Sequence, residues 1–383
     1  MKLSNLKILI NIILFLIVCS CNKQSELLQY NDSIILKELP GYSRDIHVQN
    51  DTLFLVNEND GLLIYKLDLE TQKDSLIISD NDTSTVILKD TLILSNIYHD
   101  SPYYQNKGWV LSGVLLSDKI EKLIIMDGFY CTRYADLTDL FTPGISTPIY
   151  QDLQCAADNH HASRFTINNG NEKIDIFTLV RKISSYSTSD ISSIYQNKWI
   201  EDYGFTEFPL PVIDSLNYEL TDVHFMNDKL IISNTNISNP EFQIYNISET
   251  EGPYADTLTL LHAITAPAIP NTLYSTGNLL FVGMADHGGV QVYSLDNSEI
   301  IDEVAWLATG FSIKEIYWDN ASRLLLLSCG YQGVVVLELD ENLVETNSWI
   351  LNTNYAYAAC NYMDQVIVAT RNGLEIIDLS ITQ

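Results

Sequence analysis

Apolar residues in this chain fall into short dense runs separated by polar turns, and the runs recur in a fixed order. The segment Gly373-Leu374-Glu375-Ile376-Ile377-Asp378-Leu379 has counterparts at 61–67, 289–295 and 333–339. Each begins with a glycine, passes through apolar or alternating positions, and ends on a polar residue and a leucine. Upstream of each glycine a polar turn leads into a continuous apolar run: Asn50-Asp51-Thr52 before 53–56, Gly277-Asn278 before 279–282, Ala321-Ser322 before 323–327, and Met363-Asp364-Gln365 before 366–369. A run with no polar alternation marks a strand covered on both faces, whereas the glycine segments alternate. A further strand is predicted before each turn (45–48, 315–318, 357–360) and another after each glycine strand (74–78, 303–308, 348–351). Asx and Gly in the turns supply the positive-φ positions that tight hairpins require.

One unit is therefore four antiparallel strands, repeated roughly every 40–50 residues, which is the pattern of a β-propeller. A degenerate copy, Glu241-Phe242-Gln243-Ile244-Tyr245-Asn246-Ile247, has Asp222-Val223-His224-Phe225 as its first strand, echoing Asp45-Ile46-His47-Val48. Downstream of Gly61, Lys89-Asp90-Thr91 and Leu92-Ile93-Leu94 are read as opening a second unit, with its third strand near 109–116 beyond an insertion at 98–107. One more unit is placed on the third-strand pattern at 172–180, inside an irregular, insertion-rich stretch at 128–218. The expected fold is all-β, a propeller of seven four-stranded antiparallel blades, with six and eight as alternatives. The chain stops after the third strand of its last unit, and Ser33-Ile34-Ile35-Leu36-Lys37-Glu38-Leu39 is available as the missing outer strand. Pairing of that N-terminal strand with the C-terminal blade would close the ring and remove exposed sheet edges.

The repeat at 373–380 and its copies resembles the LVIVD repeat of extracytoplasmic propeller-like proteins of bacteria and archaea. The resemblance covers 44–79 and 270–380. It implies a fold and a location outside the cytoplasm, and carries no catalytic residues with it.

Hydrophobic residues make up 46% of the 383 positions and charged residues 18%, enough apolar material to exclude global disorder. Twenty-one basic against 49 acidic residues give a formal charge of −28, with no stripe of Lys and Arg, so nucleic acid is not an expected partner. An acidic surface also repels anionic lipid, which leaves an anchor as the route to a membrane.

Residues 1–20 supply that anchor. Lys2 and Lys7 precede an apolar run over 8–19, too short for a bilayer span and suited to a signal peptide. The run ends in Val18-Cys19-Ser20-Cys21-Asn22, which resembles the lipobox of bacterial lipoproteins and implies cleavage after Ser20 and lipid on Cys21. Residues 21–32 would then be a lipidated tether and 33–383 a single propeller domain. The expected location is the bacterial cell envelope, with the outer membrane as the anchoring membrane and the domain facing the periplasm or the surface. Four cysteines remain in the mature chain besides Cys21, and Cys131 with Cys155 is the preferred disulfide, against four free thiols.

Signatures of chemistry are sparse. The chain has no Gly-x-Ser-x-Gly, no His-Glu-x-x-His and, after cleavage, no Cys-x-x-Cys. Asn159-His160-His161 is the densest histidine cluster, but two adjacent histidines need a third ligand from elsewhere, so no metal site is predicted. Asp80-Asn81-Asp82 and Asn57-Glu58-Asn59-Asp60 resemble fragments of calcium loops without the spaced ligand set, so weak calcium binding is the most they imply and no cofactor is expected. Asp45 and His47 recur as Asp222 and His224 at matching places in two first strands. With Glu315 they form a candidate polar cluster at the mouth of the central channel, or else hydrogen bonds between blades. Tyr98, Tyr103, Tyr104, Trp109 and Tyr130 are candidate ligand-contact aromatics on the insertions. These features predict a non-enzymatic binding scaffold for a protein or a glycan, with a propeller hydrolase or lyase, using a metal or the Asp/His groups, as the alternative.

Overall fold

The computed structural model describes the strands of residues 28–209 and, apart from short connections, residues 220–379. The described strands form seven sheets. In chain order the first comprises Ser43–Gln49, Thr52–Asn57, Gly61–Leu69 and Val86–Leu94. The second is Leu111–Ser117, Lys122–Asp127, Cys131–Asp136 and Gln151–Cys155, and the third His160–Asn169, Ile174–Lys182, Ile191–Ile200 and Gly204–Pro209. The fourth holds Leu220–Met226, Lys229–Asn234, Glu241–Ser248 and Thr257–Thr265, and the fifth Pro270–Thr276, Leu279–Met284, Gly289–Leu295 and Ile301–Leu307. Glu315–Asp319, Leu324–Ser328, Val334–Leu339 and Glu345–Leu351 make the sixth. Ala356–Tyr362, Gln365–Thr370 and Gly373–Asp378 make the seventh, whose fourth strand is Ile34–Glu38, antiparallel to the Gly373 strand. The first strand of each sheet lies beside the first strand of the next, and that of the seventh lies beside that of the first.

The hydrophobic pattern dictates where the core sits. Second strands such as Leu324–Ser328 and Gln365–Thr370 are buried along their whole length, while the fourth strand Thr257–Thr265 is mostly exposed. Apolar cores form between neighbouring sheets rather than at the centre. Phe281, Val290 and Val292 of the fifth sheet pack on Leu325, Leu327 and Val335 of the sixth. Leu53, Leu55 and Tyr65 of the first pack on Cys360, Ile367 and Ala369 of the seventh. The glycine at the start of the third strand in the fifth and sixth sheets has a steric cause. Gly289 and Gly333 have φ of 73° and 79°. A Cβ on them would sit 2.4 Å from the Leu307 carbonyl oxygen and 2.2 Å from that of Leu351, at the ends of the adjacent fourth strands.

Two recurrent irregularities shape the sheets. In six of them the first strand carries a bulge, directly after its first pair in five and after its third pair in the third sheet, so that Arg44, Ser112, Ser163, Thr221, Asn271 and Tyr357 are the extra residues of the register. Bulges turn the strand and re-aim the side chains that follow. A second bulge recurs in the fourth strands of the first, fourth, fifth and sixth sheets, at Thr91, Leu261, Val304 and Thr346. Polar links between sheets follow the first strands: the Phe225 amide donates to Thr166 Oγ1 (3.0 Å), and Asn361 Nδ2 donates to Asp319 Oδ2 (2.7 Å). Farther out, Lys198 pairs with the buried Asp256, whose other oxygen accepts from Gln196 Nε2.

Several strand assignments made from the pattern need correction. Leu92-Ile93-Leu94 does not open the second unit; it ends the fourth strand of the first sheet, Val86–Leu94. Asp90-Thr91 reads as a turn in sequence, but Thr91 is the bulged residue of that strand. The segment 109–116 overlaps the first strand of the second sheet, not a third strand, and 172–180 overlaps a second strand. The stretch 128–218 is thus more regular than expected, since Cys131–Asp136, Gln151–Cys155 and the whole third sheet lie within it. The expected strand at 74–78 lies outside the described residues. Leu28–Tyr30, expected in the tether, pairs in parallel with Trp349–Leu351 as a fifth strand on the sixth sheet.

Candidate functional site

Where the first strands meet, the residues just past the bulges converge. Arg164 of the third sheet donates from Nη1 to Glu315 Oε2 of the sixth (2.7 Å) and from Nη2 to the Lys314 carbonyl oxygen (3.2 Å). The Asp222 and Asp45 carboxylates of the fourth and first sheets also lie in its field. The Arg164 and Glu315 side chains keep 31% and 27% of their surface accessible, so they line a central space rather than a packed core. Asp222 and Asp45 make the same local bond, Oδ1 accepting from the following amide at 2.8 Å, which fixes the carboxylate just after the bulge. Asp222 Oδ2 also accepts from the Leu273 amide of the fifth sheet at 2.7 Å.

Electrostatics in this node oppose one another. Glu315 above all, then Asp222 and Asp45, hold the Arg164 guanidinium more firmly protonated than usual, against the effect of burial. Burial pushes the Asp222 carboxyl up to about 6, with Glu315 adding to it, although Arg164 and the Leu273 and Val223 amides pull the other way. The cation pairs directly with Glu315, joining the third and sixth sheets, and lies in the field of two further carboxylates.

The structure thus brings Asp45, Asp222 and Glu315 to one place, around an arginine the pattern had not singled out. The histidines do something else. His224 Nε2 lies 2.8 Å from Ser275 Oγ of the next sheet, and burial pushes its imidazole down to about 4, so it is neutral at ordinary pH. His47 lies with its ring centroid 6.5 Å from that of Phe54. His160 and His161 begin the first strand of the third sheet. Among the described residues no three His, Cys, Asp or Glu are gathered as for a metal ion. Cys131 and Cys155 stand directly opposite each other in the register of the second sheet. Cys329 and Cys360 are buried free thiols, and burial pushes Cys329 up to about 12. Cys21, Tyr98, Tyr103, Tyr104, Trp109 and Tyr130 lie outside the described residues.

A second cluster lies at the end where the first strands begin. Tyr42 and Arg44 lead into the first sheet, Tyr355 and Tyr357 into the seventh, Tyr331 sits in the turn after Gly330 in the sixth, and Arg371 in the turn before Gly373. The Arg371 guanidinium carbon lies 5.1, 5.4 and 5.5 Å from the ring centroids of Tyr42, Tyr331 and Tyr355. Arg44 lies 5.1 Å from Tyr42 and 4.6 Å from Tyr357. These distances are in the cation–π range. The rings contact one another, Tyr331 edge-on to Tyr355 at 4.7 Å and Tyr355 tilted on Tyr357 at 4.5 Å. Arg371 Nη1 donates to the Tyr331 hydroxyl at 2.9 Å, while Tyr331 is 70% exposed. The turn carrying Tyr331 is braced by Gln332, whose Oε1 accepts from the Ser312 amide and whose Nε2 donates to the Gly310 carbonyl oxygen. This surface was not legible in sequence beyond the Tyr357 position in a first strand, because its six residues come from four separate segments.

No family model matches the chain, and no curated protein matches it in sequence. Solved structures do resemble it in fold. A chain of the structure described as "Crystal Structure of Mitotic Checkpoint Complex" superposes with a TM-score of 0.57 at 11% identity, covering 93% of this chain and 94% of that one. The computationally designed Ika8 protein gives 0.50 at 7% identity, covering 89% and 97%. The chain of "Structure of Dos1 propeller" gives 0.49 at 11% identity, covering 86% and 76%. Four-stranded antiparallel sheets set side by side through their first strands define a β-propeller-like protein.

Proposed function

We propose that this chain is a non-enzymatic scaffold that binds a protein partner, built as a closed seven-bladed propeller and held at a bacterial cell envelope by lipid on Cys21. The seven sheets, the pairing of Ile34–Glu38 with the Gly373 strand, and the apolar core between the seventh and first sheets support closure. The signal-like segment at 1–20, the lipobox-like residues before Cys21 and the LVIVD-like repeats support the address. Anchoring at the outer membrane belongs to the same reading.

The observation that carries the binding role is the exposed Tyr331, backed by the half-buried Tyr42, Tyr355 and Tyr357 and two arginines. Tyrosine and arginine are enriched where interfaces concentrate their binding energy, and rings already packed on one another lose little conformational freedom on binding. A photo-crosslinking residue at position 331, in the lipid-anchored chain in its native cells, should give a discrete protein adduct. The same residue at position 254, in the connection at the opposite end of the fourth sheet, should not. Equal adducts at both positions, none at 331, or capture of a glycan instead would overturn the reading. Labelled fatty acid should enter the wild-type chain and not the Cys21→Ser variant; incorporation into both would remove the anchor.

A further inference from the structure

We infer that Arg371, held within the tyrosine cluster, is a receptor for a carboxylate on the protein partner. The inference rests on the scaffold reading above and names the chemistry of its contact. Arg164 and Arg371 are satisfied differently. Arg164 donates to the Glu315 carboxylate and the Lys314 carbonyl. Arg371 is bounded instead by neutral groups: three tyrosine rings on its faces, the Tyr331 hydroxyl on Nη1 and the Tyr357 hydroxyl. Its Nε is buried yet makes no hydrogen bond. A buried guanidinium N–H without an acceptor costs free energy that an incoming acceptor would recover.

The shape of the missing acceptor follows from the guanidinium. Nε–H and the adjacent Nη–H point along one edge in parallel, the fork that a carboxylate fills with two hydrogen bonds. The rings around the cation exclude water from its faces, which strengthens a bond made at the edge. The chain has 49 acidic residues, yet among the described residues the hydrogen-bond and ring partners of Arg371 include none of them. A net charge of −28 disfavours a polyanionic partner. The fitting ligand is thus a single carboxylate, from an Asp or Glu side chain or from a chain terminus, on a segment otherwise neutral or basic.

Three blocked or unblocked hexapeptides identical except for the acid group discriminate these sources: one with a central glutamate and an amidated end, one with glutamine and an amidated end, and one with glutamine and a free carboxyl end. Calorimetric titration of the full mature chain should show one or both carboxylate peptides binding at least tenfold more tightly than the amidated glutamine peptide. Preference for the first identifies a side chain, for the last a terminus. Arg371→Gln should abolish the difference and Arg371→Lys restore only part of it, with both variants melting like the wild type. Equal affinity for the three peptides, no binding of any at millimolar concentration, or an unchanged preference in Arg371→Gln would overturn the inference. The crosslink at position 331 separates the two readings: an adduct equally strong in Arg371→Gln keeps the scaffold and rejects the carboxylate, whereas no adduct in the wild type rejects the scaffold.

Discussion

Two arginine clusters occupy neighbouring parts of the same fold and solve the problem of a partly enclosed cation in opposite ways. At the centre, Arg164 meets three carboxylates contributed by the first, fourth and sixth sheets. At the end where the first strands begin, Arg44 and Arg371 meet tyrosine rings. Ion pairing joins the Arg164 guanidinium to a carboxylate of the chain itself. Ring stacking covers the faces of the Arg371 guanidinium and leaves its buried Nε without an acceptor, which is where the proposed contact is placed. The first is cohesive and the second receptive.

Removing the cation should expose that difference most strongly. Arg164→Met would leave Glu315, Asp222 and Asp45 facing one another without a counter-charge. Breaking a fully buried pair costs roughly 3–5 kcal/mol, and the accessible fraction of Arg164 and Glu315 reduces that to about 2 kcal/mol. Denaturant unfolding of the mature chain measures it. A loss no greater than that of Arg371→Gln would mean the node contributes nothing to cohesion.

Acidity should separate the clusters next. The folded Asp222 carboxyl is pushed up to about 6, above its value of 3.8 in an unfolded chain. Between these values the folded state holds the extra proton, so stability contributed by Asp222 is complete below about pH 4 and falls until about pH 6. Carboxyl-carbon NMR titration of Asp222 reads the same shift directly. Because Arg164 lowers this pKa, Arg164→Met should move the midpoint further up, while Arg371→Gln should leave it in place. A midpoint near 4 in the wild type would show that the node is well solvated and the contrast between the two clusters weaker than drawn.

How much of this could be read from the chain depends on how local the signal is. Gly289 and Gly333 were legible because a single steric fact, the approach of a fourth-strand carbonyl, forces glycine at those two third-strand starts. Asp45 and Asp222 were legible because each bonds to its own neighbouring amide, a local reason for Asp at that position in two sheets. Thr91 misled because a bulged residue and a turn residue share the same polar character in sequence. Arg164 is hidden in sequence for a related reason: a third-strand reading of 172–180 leaves no place for the strand His160–Asn169 that carries it. The tyrosine–arginine surface is the extreme case. Its members are brought together only by the adjacency of the sixth, seventh and first sheets, which no periodicity encodes.

The smallest effect is also the one that defines the receptive cluster. Tyr331 is 70% exposed, and its contacts include an edge-on ring, a cation–π contact and one hydroxyl bond. Each contributes about 1 kcal/mol or less at an exposed site. Truncating Tyr331 to Ala should therefore change unfolding stability by no more than about 1 kcal/mol, since Tyr355 and Tyr42 still cover Arg371. Partner binding should fall much further, by tenfold or more, because the exposed ring and its hydroxyl are what a partner would first meet. A residue serving only the fold would show the reverse order, with stability lost and binding retained. Measuring both quantities on the same variant therefore decides whether Tyr331 is packing or contact surface.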